Sequence, residues 1–171
     1  MTIADTIIAT LTQEFADLND PAEFTRVAIR LLVAVALAAV IGYERERRGK
    51  TAGLRTHMLV ALGVALVIVS AQQSGVEPDG MTRVLQGLFA GIGFLGAGAI
   101  LKLDEKERVK GLTTAASIWA TAAIAAAAGL GREATAVFAT VLSYVILAVL
   151  GRLESRLDPG SDHDEMDRRN N

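Results

Sequence analysis

Apolar residues in this chain fall in long blocks separated by short polar stretches. Five blocks stand out: Val27–Gly42, His57–Gln72, Val84–Leu101, Gly111–Leu130 and Ala134–Gly151. A helix needs about 20 predominantly apolar residues to cross a bilayer, and helical flanks can extend the shorter blocks. The pattern predicts an all-α integral membrane fold with five transmembrane helices. Ahead of them Ile3, Ile7, Ile8, Leu11, Phe15 and Leu18 recur at helical spacing, with Asp5, Thr12, Glu14 and Asp17 between. That spacing predicts a short amphipathic helix packed on the rim of the bundle. The chain then divides into an amphipathic segment, 1–19, a five-helix membrane domain, 20–153, and a polar tail, 154–171, expected to be disordered.

Local signals mark the helix ends. Asp20-Pro21-Ala22-Glu23 is a helix start: aspartate caps, proline suits the first turn, and glutamate can reach back. Gly75 to Gly80 reads as a turn, and Gly129-Leu130-Gly131 closes the fourth block.

Composition and charge refine the picture. The chain has 171 residues, 51% hydrophobic, and a formal net charge of −2. The net figure hides a sorting by segment. Of 17 Lys and Arg residues, 13 lie in the loops after the first and third spans and in the tail. Short basic loops stay in the cytoplasm, so the N-terminus is expected outside and the C-terminus cytoplasmic. Met1–Leu18 has neither the basic start nor the unbroken apolar core of a secretory signal. With no cysteine, disulfides and thiolate chemistry are excluded.

Two spans carry packing signals. Gly87, Gly91, Gly93, Gly96 and Gly98 crowd the third, and Gly87 and Gly91 form a GxxxG pair suited to close helix contact. The fourth is alanine-rich, hence thin, and is expected at the centre. A faint repeat links Gly53-Leu54-Arg55-Thr56 with Gly111-Leu112-Thr113-Thr114, each opening a helix after a basic loop. Such repeats occur in some transporters.

The candidate chemistry lies at the cytoplasmic face. Glu44, Arg45, Lys50, Gly53, Arg55 and Thr56 come from the first loop, and Thr113 and Thr114 from the third. Helix starts after Gly53 and Gly111 present free N–H groups and positive dipole ends, which suit an anion such as a lipid phosphate. Glu44 and Arg55 each close the inner end of a helix, where an unpaired charge is costly, so they are expected to pair. His57 is expected to be an interfacial hydrogen-bonding residue, and Trp119 a packing residue. No carboxylate sits mid-span, which argues against a simple magnesium channel or pump. No metal site, cofactor motif, nucleic-acid-binding pattern, nucleophile or acid–base pair is evident, so an enzyme is not expected. A regulator, an ion transporter and a scaffold assembled through Gly87 and Gly91 are the three functional readings.

Three strings then resemble a known family. They are Gly42 to His57 (GYERERRGKTAGLRTH), Gly91 to Ile100 (GIGFLGAGAI) and Val109 to Trp119 (VKGLTTAASIW). In that order they resemble the signatures of the MgtC/SapB family of bacterial membrane proteins. The resemblance implies a five-span domain in the bacterial plasma (inner) membrane and a link to magnesium limitation. It also implies regulation through partners such as the F-type ATP synthase, with membrane lipids and a second copy as further partners. Glu44, Arg45, Lys50, Gly53, Leu54, Arg55 and Thr56 match the first signature, and Gly111, Leu112, Thr114 and Trp119 the third. Thr113 departs from the asparagine of the family's virulence factor. Longer members carry a soluble ACT-like domain, and this chain is expected to be a short member without it.

Overall fold

The computed structural model describes residues 2–14, 16, 20–103 and 108–150. It contains α1 (Ile3–Glu14), α2 (Pro21–Arg47), α3 (Leu54–Gln73), α4 (Pro78–Gly98), α5 (Leu112–Gly129) and α6 (Glu133–Val145), the last running on as a π-helical turn, Ile146–Leu150. A small antiparallel hairpin joins α4 to α5, with β1 (Leu101–Leu103) paired to β2 (Arg108–Lys110) so that Lys102 faces Val109. This hairpin is the departure from a purely helical chain. The polar tail 154–171 and the last basic residues, Arg152, Arg156, Arg168 and Arg169, lie outside the described residues, as do Lys106, Phe15 and Leu18.

Four helices are long and apolar enough to cross a membrane: Pro21–Arg47, Leu54–Gln73, Leu112–Gly129 and Glu133–Leu150. Helix α4 has the length, but its glycines, Arg83 and Gln86 dilute its apolar content. The start of α2 is as the sequence predicts. Asp20 caps it, its side chain accepting from the Ala22 N–H at 3.0 Å, and Pro21 occupies the first turn. Glu23 pairs with Arg26 instead of reaching back. In α1 Thr2 and Asp5 cap each other reciprocally. The Thr2 backbone N–H, then its hydroxyl, hold the Asp5 carboxyl below its usual range. All of α1 is exposed, Ile3, Ile7, Ile8 and Leu11 included, so none of it is buried against the rim.

Helix α5 is the centre of the bundle, with ten of its residues buried. Its alanines leave room for neighbours on all sides, the role its composition predicts. Around it, α2 buries Ala34, Ala38, Ile41 and Arg45, and α3 buries His57, Ala61, Val64, Ala65 and Ile68, each a stripe at helical spacing. Small residues let these backbones approach, which drives association where lipid removes the hydrophobic incentive. A Cβ on Gly42 would lie 2.8 Å from Leu54 Cα, and one on Gly129 would lie 3.2 Å from Ala65 Cα. These are the close crossings of α2 with α3 and of α5 with α3. Of the five glycines from Gly87 to Gly98, only Gly96 meets a neighbour, Ala115, at 3.7 Å. Nothing lies within 4 Å of a Cβ placed on Gly87, Gly91, Gly93 or Gly98.

The bundle has two chemically distinct ends. At one, Arg30 of α2 donates to the Gln72 side chain at 2.6 Å and to the Gly129 carbonyl at 3.4 Å, tying the C-terminal ends of α3 and α5. At the other lie the α2–α3 turn, the hairpin and the end of α6. There Gly111, at φ 98°, fits against the end of α4, where a Cβ would strike the Ala99 carbonyl. Gly111 and Gly53 both precede helices, but Gly53 is extended, so the faint repeat does not extend to their backbone.

Candidate functional site

The end of α2 points successive charges in different directions, because neighbouring residues on a helix sit about 100° apart. Glu44 turns toward α6 and Arg45 toward α5. Both are buried, at 6% and 3% exposure. Arg45 Nη2 donates to Thr114 Oγ1 at 2.7 Å, joining α2 to the first turn of α5. Ser117 Oγ donates to the Thr114 carbonyl at 2.8 Å. Deeper, His57 Nδ1 and Thr121 Oγ1 share a 2.8 Å hydrogen bond, and both side chains are fully buried. Thr114, Ser117 and Thr121 lie on one α5 face, at i, i+3 and i+7, and descend about 10 Å at the helical rise.

Glu44 forms an ion pair with Arg48 one turn on, and Arg48 also donates to the Ala148 carbonyl at 2.8 Å. That carbonyl lies in the π turn of α6, a geometry often found at functional sites. Glu46 works differently. Its Oε2 accepts from the Leu54 N–H at 2.7 Å, so a side chain of α2 caps α3, where Gly53 has none to offer. A Cβ on Gly53 would sit 2.8 Å from that oxygen.

Glu44 Oε2, Arg45 Nε and His57 Nε2 are buried without a hydrogen-bond partner among the described residues. Leaving such a group unpaired costs about 1–3 kcal/mol. The three gather at one end of an apolar bundle, which makes that end the candidate functional site.

The structure therefore brings together Glu44, Arg45 and Thr114 of the predicted cluster and sets Gly53 against Glu46. Lys50, Arg55, Thr56 and Thr113 are exposed on the same end. The expected Glu44–Arg55 pair is corrected: Glu44 pairs with Arg48, which is one turn away on its own helix, while Arg55 points outward. His57 is a core residue, not an interfacial one. Thr121 was missed, although its seven-residue spacing from Thr114 was a usable signal. Trp119 packs as expected, its ring 5.3 Å from that of Phe89 on α4. Among the described residues no group of three His, Cys, Asp or Glu side chains could hold a metal.

The MgtC family profile matches residues 31–156. The chain is 43% identical to protein SrpB of Synechococcus elongatus over 138 residues, 74% of this chain and 76% of that protein. It is 38% identical over 139 residues to a protein of Escherichia coli K12 named "Putative magnesium transporter YhiD", covering 75% of this chain and 62% of that one. It is 44% identical over 114 residues to protein MgtC of Salmonella typhimurium, covering 67% of this chain and 48% of that one. The chain thus spans under two thirds of YhiD and about half of MgtC. No solved structure matches.

Proposed function

The chain belongs to the MgtC family, and we propose that it serves magnesium and cation homeostasis by binding and regulating other membrane proteins, with no chemistry of its own. On this reading α2 to α6 make five spans of a bacterial plasma membrane protein. The basic end lies in the cytoplasm, as short loops rich in Lys and Arg do, and the N-terminus lies outside. The F-type ATP synthase, suggested by family resemblance, and a second copy of the chain are candidate partners. The single observation behind regulation is how the polar layer ends. It descends to His57 and Thr121 and then meets Ala65, Ile68, Ala125 and Ala128, each fully buried, with Gly129 closed against Ala65. A permeation path through one chain needs polar or wet lining across the bilayer, and here half the depth is close-packed alanine and isoleucine.

The name of the Escherichia coli relative favours a second reading, Mg²⁺ transport. The test is to reconstitute the full chain in liposomes and follow Mg²⁺ uptake with a trapped indicator under an imposed potential. In parallel, partners are crosslinked in magnesium-starved cells. The expected result is no saturable uptake and one reproducible membrane partner. Saturable Mg²⁺ uptake by folded protein, lost in Arg45→Gln, would overturn the regulatory reading.

A further inference from the structure

Between the basic C-terminal end of α2 and the end of α6 lies a cavity of about 290 Å³, lined by Tyr43, Glu44, Arg47, Arg48, Tyr144 and Ala148. Its size is at the lower limit for small-molecule pockets. Glu44, one of its lining residues, is more than nine-tenths buried; its Oε1 is held by Arg48, and its Oε2, itself buried, is without a partner among the described residues. Arg48 is fixed from behind by the Ala148 carbonyl. The tyrosines stand at the mouth, 62% and 40% exposed.

We infer that this pocket binds a primary-amine phosphodiester headgroup, that of phosphatidylethanolamine. A simple anion would meet the buried carboxylate, and a simple cation would meet Arg47 and Arg48. A ligand carrying both charges satisfies the two ends. The ammonium donates to Glu44 Oε2, and the phosphate takes Arg47 with a tyrosine hydroxyl. The amine must be primary, because a buried carboxylate oxygen needs an N–H donor, which a trimethylammonium lacks. A lipid is favoured over a soluble phosphoethanolamine by what lies beyond the cavity. One turn toward the middle of the bundle, Val40 on the Tyr43–Glu44 face and Val141 on the Tyr144 face are 44% and 52% exposed, an apolar continuation suited to acyl chains. Tyrosine at headgroup level is the usual interfacial placement.

The inference rests on reading α2 and α6 as membrane spans. The full chain is extracted gently from vesicles of equal phosphatidylethanolamine, phosphatidylcholine and phosphatidylglycerol, and retained lipid is measured by native mass spectrometry. Wild type is expected to retain phosphatidylethanolamine over phosphatidylcholine by about tenfold, one charge-assisted hydrogen bond. Glu44→Gln is expected to erase that preference. Tyr43→Ala, at an exposed position, is expected to weaken retention with the unfolding temperature unchanged, and serves if Glu44→Gln does not fold. Displacement of the lipid by soluble phosphoethanolamine at equal concentration would assign the same site to a soluble ligand. Equal retention of all three lipids, or a preference that survives both variants, overturns the proposal. Alkaline carbonate extraction separates the two readings: protein released from the vesicles refutes the spans, whereas embedded protein without lipid preference refutes the pocket alone.

Discussion

Gly42→Ala and Gly91→Ala, the same chemical change in two helices, are expected to move stability in opposite directions. A methyl group on Gly42 would lie 2.8 Å from Leu54 Cα and 3.1 Å from His57 Cβ. The first is backbone and cannot swing aside, so α2 and α3 must separate. Overpacking of this kind costs about 1–3 kcal/mol. Because the clash is with backbone, the upper part of that range applies, about 2–3 kcal/mol, and alanine recovers about 1 kcal/mol of helix propensity, leaving a net loss of about 1–2 kcal/mol. Separation also strains the Arg45–Thr114 bond, three residues further along α2. At Gly91 a methyl meets nothing within 4 Å, so only the propensity gain applies, about 0.5–1 kcal/mol of added stability. The two variants should therefore differ by about 2 kcal/mol, roughly thirtyfold in the folded-to-unfolded ratio. The assay is reversible unfolding by dodecyl sulfate in mixed micelles, followed through Trp119, the single tryptophan. A Gly42→Ala protein as stable as wild type would refute the argument from close approach. A Gly91→Ala protein as damaged as Gly42→Ala would show that something covers the α4 face.

Two further substitutions probe the bundle. Thr114→Val removes the acceptor of Arg45 and is expected to cost about 1.5–3 kcal/mol, the range for a hydrogen bond to a charged group. Adding Arg45→Met should restore part of the loss, and a double-mutant cycle in the same unfolding assay reads the coupling. Asp20→Ala removes the cap on α2 and should cost about 1 kcal/mol, seen as faster amide exchange confined to the first turn of that helix.

What could be read without coordinates was whatever depends on neighbours in sequence. Asp20 and Pro21 announced the start of α2, and the alanines of α5 its central place. Pairing across helices was hidden. Glu44 and Arg55 are both at helix ends, but only the rotation of α2 shows that Glu44 faces α6 and that Arg48 reaches it first. The glycines of α4 form a close-contact pattern, yet that pattern describes a smooth surface and says nothing of what covers it. The contacts fell instead to Gly42 and Gly129, glycines outside any such motif. His57 looked interfacial because it follows a basic loop. Helix α3 starts three residues earlier, at Leu54, and carries His57 onto the face opposite Thr121.

Gly111 carries a consequence for anyone who maps this protein by saturating mutagenesis. It stands in the left-handed region, and any side chain there would run into the Ala99 carbonyl. Every replacement is therefore expected to score as a loss, in any screen and under any selection. Such a column of failures would look like a catalytic or recognition hot spot inside the Gly-Leu-Thr-Thr string. It would record only the geometry by which the hairpin hands the chain to α5. Scores at Glu44 and Arg45 need that distinction too, and a variant's abundance in the membrane, measured beside its activity, separates the two meanings.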